Sequence, residues 1–197
     1  MSTAAAPVRT GAVLADLLPA VRHRYAVDTA LVVGGAALTG IAAQIAVPIP
    51  GSPVPVTGQT FAALLVGTAL GARRGFLSLA VYALVGMVGM PWFAGGSSGA
   101  GGASFGYVLG MLLAATVVGD LARRGGDRSV LRTAGTMVLG SAIIYAVGVP
   151  YLALSTGMSA SAAIAAGLVP FLLGDALKAA LAMGALPAAW KLVGRRG

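Results

Sequence analysis

Two ionisable residues three positions apart, Asp175 and Lys178, interrupt a strongly apolar segment near the C-terminus. On a helix this spacing places both side chains on one face, with a carboxylate acceptor beside an ammonium donor. Each charge costs about 2.5–3.5 kcal/mol at the centre of a bilayer, so such residues face the interior of a helix bundle. The pair predicts a site for a small polar ligand, about two turns from the outer end of the last helix. The alternative is a structural pair that neutralises itself.

Four further polar side chains are candidates for contacts with the same ligand. Thr57 and Gln59 stand at the start of the second predicted helix, just after a proline-rich loop. Thr57 is equally suited to cap that helix, because a threonine hydroxyl accepts hydrogen bonds from its first free N–H groups. Tyr82 and Tyr145 fall within the third and fifth predicted helices, where each hydroxyl needs a partner, which could be a backbone carbonyl.

Trp92 and Phe93 follow the third predicted helix, next to the glycine-rich stretch Gly95 to Gly106. Aromatic residues at this position are typical of the belt at a membrane surface, and this is the favoured interpretation of both. Alternatively, the two rings form a lid over the apolar body of a ligand. The glycine-rich stretch lacks the lysine of a phosphate-binding loop, so we interpret it as a flexible gate.

The remaining charges are sorted along the chain in a way that predicts a membrane protein. Three runs contain no Asp, Glu, Lys, Arg or His: Thr29 to Ala72, Gly75 to Gly119 and Thr133 to Gly174. Each is about twice the roughly 20 apolar residues that cross a bilayer, which predicts a helical hairpin with its turn outside. The basic residues around the runs mark the cytoplasmic side: Arg22, Arg24, Arg73, Arg74, Arg123, Arg124, Arg128, Arg132, Lys191, Arg195 and Arg196.

The sequence thus predicts an all-α integral membrane protein. It is a bundle of six transmembrane helices, with both termini cytoplasmic and outer loops that cap a ligand pocket. We expect a single membrane domain over 1–197, with a cytoplasmic segment at 1–27, the bundle at 28–191 and a cytoplasmic tail at 192–197. The expected location is the cytoplasmic (inner) cell membrane, as a multi-pass protein. The predicted helices are 28–47, 57–71, 75–90, 107–122, 133–152 and a sixth within 160–190.

Composition excludes several classes of function. The chain is 58% hydrophobic and 9% charged, with a mean hydropathy of +0.92, whereas soluble domains are about 25% charged. Its net charge of +8 is divided among short segments beside the predicted spans, which indicates contact with membrane lipid and no nucleic-acid partner. With no cysteine and one histidine, we expect no metal site and no cofactor. HExxH, GxSxG and nucleotide-binding GxxxxGK motifs are missing, so we expect no enzyme activity and no catalytic residue.

Four motifs together resemble the BioY family, the biotin-binding S components of energy-coupling factor (ECF) transporters. The most specific is the string PVPVTGQTF at 53–61. The others are GMVGMPWFAGG at 86–96, the pair Gly106-Tyr107, and Gly174-Asp175-x-x-Lys178. The resemblance covers the chain from about Leu14 onward. It departs from the family at 102–107, where this chain has GASFGY and the family usually has Gly-Pro-Thr-Gly-Gly-Tyr.

The resemblance implies a six-helix bundle that holds biotin near the outer face, as a transported ligand and not a cofactor. It also implies partners, namely a transmembrane coupling (T) component and two cytoplasmic ATP-binding cassette ATPases. The S component then topples in the membrane to release its ligand inside. Asp175 and Lys178 match the family's ligand-contacting pair, and Pro53 to Gln59 and Trp92 to Gly96 match its lid.

Biotin joins an apolar thioether ring and alkyl chain to a ureido group and a carboxylate, which suits an apolar pocket with few polar groups. We hypothesise that Asp175 accepts the ureido N–H bonds, while Lys178 balances Asp175 and donates to the ligand. Which end of the ligand each residue meets stays open. Three alternatives also stay open: uptake of a different vitamin, a non-transporting structural membrane subunit, and a membrane enzyme with Asp175 as acid or base.

Overall fold

The structure, a computed structural model, describes residues 11–17 and 24–194; Arg22, Arg195 and Arg196 lie outside them. The described residues form seven α-helices: α1 Arg24–Ala43, α2 Gln59–Leu70, α3 Ala72–Met87, α4 Phe105–Arg123, α5 Val130–Thr156, α6 Ala160–Gly167 and α7 Leu172–Gly194. Two short strands, β1 Ala46–Val47 and β2 Val56–Thr57, pair as an antiparallel ribbon. Three 3-10 turns complete the chain, at Leu14–Leu17, Ala94–Gly96 and Val169–Phe171. The predicted all-helical class is confirmed.

Five of the six predicted helices coincide with α1 to α5, with ends displaced by a turn or less. The sixth predicted helix is two helices, α6 and α7, separated by a 3-10 turn that contains Pro170. Proline lacks an N–H group and its ring collides with the preceding turn, so a continuous helix cannot pass through it. The polar turn expected before this segment is shorter than predicted, because α5 continues to Thr156 and ends at Gly157, which has φ 69°.

Four stretches are long and apolar enough to cross a membrane: Arg24–Ala43, Phe105–Arg123, Val130–Thr156 and Ala160–Val193, the last of which includes both α6 and α7. Large apolar side chains cover their outer surfaces, with Ile41 of α1 68% exposed and Leu173 of α7 84% exposed. Contiguous apolar surface of this kind marks contact with a membrane or a protein partner.

Helix α4 lies at the centre of the bundle, in contact with α2, α3 and α5. Glycines let the neighbouring backbones approach closely, as is typical of helix pairs in membranes. A Cβ atom at Gly67 of α2 would lie 2.7 Å from the Ala115 Cα of α4. One at Gly110 of α4 would lie 2.9 Å from the Ile144 Cα of α5. Helix α4 thereby fixes the position of α5, which forms one wall of the site described below.

The charged end of the bundle is the end at which α1, α3 and α5 begin and α2, α4 and α7 terminate. Arg74 of α3 donates to Asp28 of α1 (Nε–Oδ1, 2.9 Å) and to Asp16 of the first 3-10 turn (Nη1–Oδ1, 2.8 Å). Arg123 of α4 also reaches Asp16, at 3.5 Å. These ion pairs hold residues 11–17 against the charged end, a structural role that the sequence pattern alone does not predict.

A buried carboxylate joins the far end of α7 to the loop between α4 and α5. Asp127 is fully buried, and its Oδ2 accepts a hydrogen bond of 2.8 Å from the indole N–H of Trp190. The Arg128 guanidinium lies 4.5 Å from the centre of the Trp190 ring, a cation–π contact. Burial raises the pKa of the Asp127 carboxyl, and the Trp190 hydrogen bond opposes that change.

The loop end, opposite the charged end, carries the connections 44–58 and 88–104. The first holds the β-ribbon and four prolines, which exclude a helix there. The second contains four glycines with positive φ, a backbone conformation that residues with a side chain rarely adopt: Gly89 (113°), Gly95 (65°), Gly96 (78°) and Gly99 (84°). Both connections therefore have irregular structure that the helices alone do not determine.

We expect Gly110→Ala to lower the free energy of unfolding by about 1–3 kcal/mol, because the added methyl group meets the Ile144 backbone in a tight interface. Gly135→Ala on α5 is the matched control, since a Cβ atom there has no neighbour within 4 Å. The control should leave stability unchanged or slightly raised, because alanine favours helix over glycine. Thermal unfolding in detergent measures both. Equal losses in the two variants would argue against the close approach of α4 and α5.

Candidate functional site

The ionisable pair lies at the start of α7, near the loop end. Asp175 Oδ1 and Lys178 Nζ are 3.1 Å apart, with 15% and 18% of the respective side-chain surfaces exposed. The predicted shared helix face is therefore confirmed. The predicted depth is wrong, because α7 begins at Leu172 and Asp175 stands in its first turn. A negative side chain is favoured there, since the first turn of a helix carries free N–H groups and the positive end of the helix dipole.

Two neighbouring helices supply hydrogen-bond partners for the pair. The Tyr145 hydroxyl of α5 donates to Asp175 Oδ2, which places this predicted site residue beside the carboxylate. Lys178 Nζ donates to Thr60 Oγ1 of α2 at 2.8 Å. Thr60 is a neighbour that sequence reasoning missed, although it stands within the PVPVTGQTF string that carries the family resemblance.

Hydrogen-bonding capacity remains on both charged groups. An ionised carboxylate accepts about four hydrogen bonds, and an ammonium group donates three. Within the described part of the chain, Asp175 accepts from Tyr145 and Lys178, and Lys178 donates to Asp175 and Thr60. About two acceptor positions on Asp175 and one N–H on Lys178 are therefore left for a ligand.

A groove of about 670 Å³ runs beside Asp175, between α5 on one side and α6 and α7 on the other. Its volume falls within the range of about 300–1,000 Å³ that is typical of small-molecule sites. Ser141, Tyr145 and Asp175 are its polar lining residues. The others are apolar: Met137, Val138, Ala142, Ala146, Val149, Pro150, Ile164, Leu168, Leu172, Ala176 and Ala179. Such walls suit a ligand with an apolar body and a small polar head.

Gln59, Tyr82 and Trp92 form a separate cluster at the loop end. The Tyr82 hydroxyl donates to Gln59 Oε1 at 2.7 Å, and the Trp92 indole N–H donates to the Tyr82 carbonyl at 3.0 Å. Gln44, at the end of α1, donates to the Trp92 carbonyl at 3.0 Å. These bonds attach the connection between α3 and α4 to α1, α2 and α3. The predicted site residues thus fall into two groups, of which only one contains the ionisable pair.

The first turn of α2 lies between the two groups. Gln59 and Thr60 are its first two residues; Gln59 belongs to the loop-end cluster and Thr60 to the ionisable pair. Thr57 is 5% exposed and pairs with Ala46 in the β-ribbon. The prediction that Thr57 caps α2 is wrong, because Gly58 occupies the N-cap position and no side chain bonds to the free N–H groups there.

Trp92 and Phe93 pack inside the protein, so the favoured aromatic-belt interpretation is wrong. Phe93 is 3% exposed and rests against Gly86, where a Cβ atom would overlap its ring. Trp92 covers Gly40, where a Cβ atom would lie 2.8 Å from the indole ring. Two glycines on neighbouring helices create these spaces, and the residue types of Trp92 and Phe93 alone do not reveal them.

The departure from the family motif places two aromatic rings at the start of α4. Phe105 is 8% exposed, and its ring centre lies 6.1 Å from those of both Phe93 and Tyr151. Phe105 therefore fills space beneath the lid. Tyr107, which sequence reasoning did not select, donates at 2.7 Å to the Gly167 carbonyl at the end of α6. This bond satisfies a helix-end carbonyl beside the break between α6 and α7.

We expect Thr60→Val to lower the free energy of unfolding by about 1.5–3 kcal/mol, because Lys178 loses a hydrogen bond from a charged donor. Valine keeps the shape of threonine, so the change removes only the hydroxyl. Thr116→Val is the matched control, since the Thr116 hydroxyl bonds the Leu112 carbonyl one turn back on its own helix. Thermal unfolding in detergent compares the two. A loss no larger than that of the control would refute the role of Thr60 as a partner of Lys178.

Comparisons with known proteins agree on one family. The sequence model of the BioY family matches residues 14–195. The probable biotin transporter BioY of Pyrococcus horikoshii is 37% identical over 159 residues, which is 79% of this chain and 91% of that protein. The biotin transporter BioY of Thermotoga maritima is 37% identical over 149 residues, covering 74% and 85% of the two chains. Biotin transporter BioY2 of Lactococcus lactis is 35% identical over 154 residues, covering 77% and 83%.

A solved structure shares the fold. It is described as the S-component for biotin from an ECF-type ABC transporter, and it matches 89% of this chain and 93% of its own with a TM-score of 0.74 at 21% identity. The family match spans almost the whole chain, and the relatives are transporters and not enzymes. The chain is therefore a membrane protein of the BioY family.

Proposed function

We propose that this protein captures biotin with high affinity and takes it up as the substrate-binding S component of an ECF-type transporter. The observation that carries the proposal is the Asp175–Lys178 pair, which keeps free hydrogen-bonding capacity beside an apolar groove. The names of the relatives support the choice of biotin, since three BioY proteins aligned over most of their lengths are named biotin transporters.

The proposed binding mode matches the ligand group by group. The ureido ring of biotin offers two N–H donors and one carbonyl acceptor, and Asp175 and Lys178 retain about two acceptor positions and one donor. Asp175 accepts the ureido N–H groups, and Lys178 balances Asp175 while it donates to the ligand. The thioether ring and alkyl chain lie against the apolar residues of the groove between α5 and α7.

Six spans and cytoplasmic termini are the proposed topology. Helices α1 to α5 each cross the membrane once, and α6 with α7 forms the sixth crossing; α2 and α3, with 12 and 16 residues, are short and need a thin or tilted bundle. The charged end faces the cytoplasm, because arginine and lysine concentrate there. The loop end faces outward, with 44–58 and 88–104 as the lid over the ligand. The membrane is then the cytoplasmic membrane, and the chain is a single membrane domain.

The partners in this proposal are a transmembrane coupling component and two ATP-binding cassette ATPases. The chain itself has no nucleotide-binding GxxxxGK motif, so ATP hydrolysis has to come from other subunits. Lipid covers the exposed apolar faces of α1 and α7, and anionic headgroups contact the arginines of the charged end. Thr57, Gln59, Tyr82, Trp92 and Phe93 contribute to the lid and not to the ionisable pair.

Ligand-dependent unfolding tests the proposed function. A ligand that binds only the folded chain stabilises it by RT ln(1 + [L]/Kd), about 4.1 kcal/mol at 1,000 times Kd. We expect biotin to raise the unfolding temperature of the detergent-solubilised chain, and thiamine and riboflavin to leave it unchanged. A rise with another vitamin in place of biotin would change the ligand. No rise with any of the three would favour a structural membrane subunit.

We expect Asp175→Asn to weaken biotin binding by at least about 100-fold, since hydrogen bonds to a charged acceptor contribute about 1.5–3 kcal/mol each and 1.4 kcal/mol is a factor of ten. Asparagine keeps the size of aspartate but offers one acceptor atom and removes the charge. The measurement is titration calorimetry with biotin.

Asp120→Asn is the matched control for this experiment, because Asp120 is half exposed and pairs with Arg124 on the surface of α4, where such pairs contribute little. Thermal unfolding without ligand separates lost binding from misfolding, since Asp175→Asn leaves Lys178 without its counter-charge. Normal biotin affinity in a folded Asp175→Asn protein would rule out the proposed role of the carboxylate.

A further inference from the structure

Positive charge is distributed very unevenly between the two ends of the bundle. In residues 11–17 and 24–194, Lys178 is the one lysine or arginine that lies away from the charged end. The others stand where helices begin or terminate at that end: Arg24, Arg73, Arg74, Arg123, Arg124, Arg128, Arg132 and Lys191. A ligand near the loop end therefore meets one cation in the described part of the chain.

The charge of that cation is already neutralised. Lys178 Nζ lies 3.1 Å from Asp175 Oδ1, and the other partners of the pair, Tyr145 and Thr60, are uncharged side chains. The site as a whole carries no net charge. A ligand carboxylate placed on Lys178 would put two carboxylates on one ammonium group and leave a net negative charge inside an apolar bundle. Removing such a charge from water costs several kcal/mol without a compensating partner.

Unused hydrogen-bonding capacity points in the same direction. Asp175 retains acceptor positions, and these repel a second carboxylate but suit the N–H groups of a cyclic urea. Lys178 retains one N–H, which suits a single carbonyl oxygen. A neutral ureido head therefore uses every free position of the pair without adding charge, whereas an anionic head uses only one of them.

The groove offers the ligand tail a route away from the pair. Its lining continues from Asp175 past Val149 and Pro150 of α5 and Ile164 of α6, towards the exposed turn at 157–159, which carries no charge. Ile164 is 48% exposed, so the groove is open at this side. An alkyl chain can lie along these apolar residues and keep its terminal group in water.

We infer that the site recognises the neutral ureido head of its ligand and leaves the carboxylate without a counter-charge, in water at the mouth of the groove. Neutral amides and esters of biotin are therefore ligands of this protein as well as biotin itself. This inference rests on the proposed function, because it specifies which part of biotin the Asp175–Lys178 pair selects.

Competition against radiolabelled biotin tests the inference with the unaltered chain in detergent, so no variant can fail to fold. The competitors are biotinamide and biotin methyl ester, which lack the negative charge, and a biotin methylated on both ureido nitrogens, which keeps it. We expect the amide and the ester to compete with dissociation constants within tenfold of that of biotin. The N-methylated compound should be weaker by at least 100-fold.

Each other outcome contradicts a distinct statement. If the amide and the ester are weaker than biotin by more than tenfold, the carboxylate is recognised by charge and the inference is wrong, while the proposed function stands. If the N-methylated compound competes like biotin, the pair does not read the ureido N–H groups and the inference is wrong again. If radiolabelled biotin itself does not bind, the proposed function fails before the competitors are compared.

Discussion

A charged group inside an apolar helix bundle has to be neutralised and hydrogen-bonded where it stands, and the organisation of this protein around Asp175 follows from that requirement. The carboxylate lies in the first turn of α7, beside Lys178, and it accepts a hydrogen bond from Tyr145 of α5. Lys178 in turn reaches Thr60 of α2. The pair therefore ties three helices together, although each of its members would be unfavourable alone.

The rest of the bundle keeps those three helices in place. Glycines bring α4 close to α2 and to α5, so the helices that carry Thr60 and Tyr145 pack on a common central helix. Helix α7 makes few contacts besides those with α5, and it is held near both ends. Asp175 and Lys178 hold the loop end, and the hydrogen bond from Trp190 to the buried Asp127 holds the charged end. Its orientation thus depends on polar contacts more than on apolar packing.

Local patterns in the sequence predict much of this architecture. Charge-free runs give the helical hairpins, and the spacing of Asp175 and Lys178 gives their shared helix face. Features that depend on distant residues are not predictable in this way. Thr60 is 118 positions from its partner Lys178, and Phe93 is buried because Gly86 leaves space for its ring. Thr57 was expected as a helix cap, but its pairing in the β-ribbon leaves the N-cap position to Gly58.

The central claim is that Asp175 and Lys178 hold the ureido head of biotin. The most direct measurement is an experimental structure of the chain with biotin bound. The account predicts ureido nitrogens within about 3.2 Å of the Asp175 carboxylate, the alkyl chain between α5 and α7, and the ligand carboxylate away from Lys178. A bound biotin whose carboxylate contacts Lys178, or whose ureido ring lies outside hydrogen-bonding distance of Asp175, would contradict it.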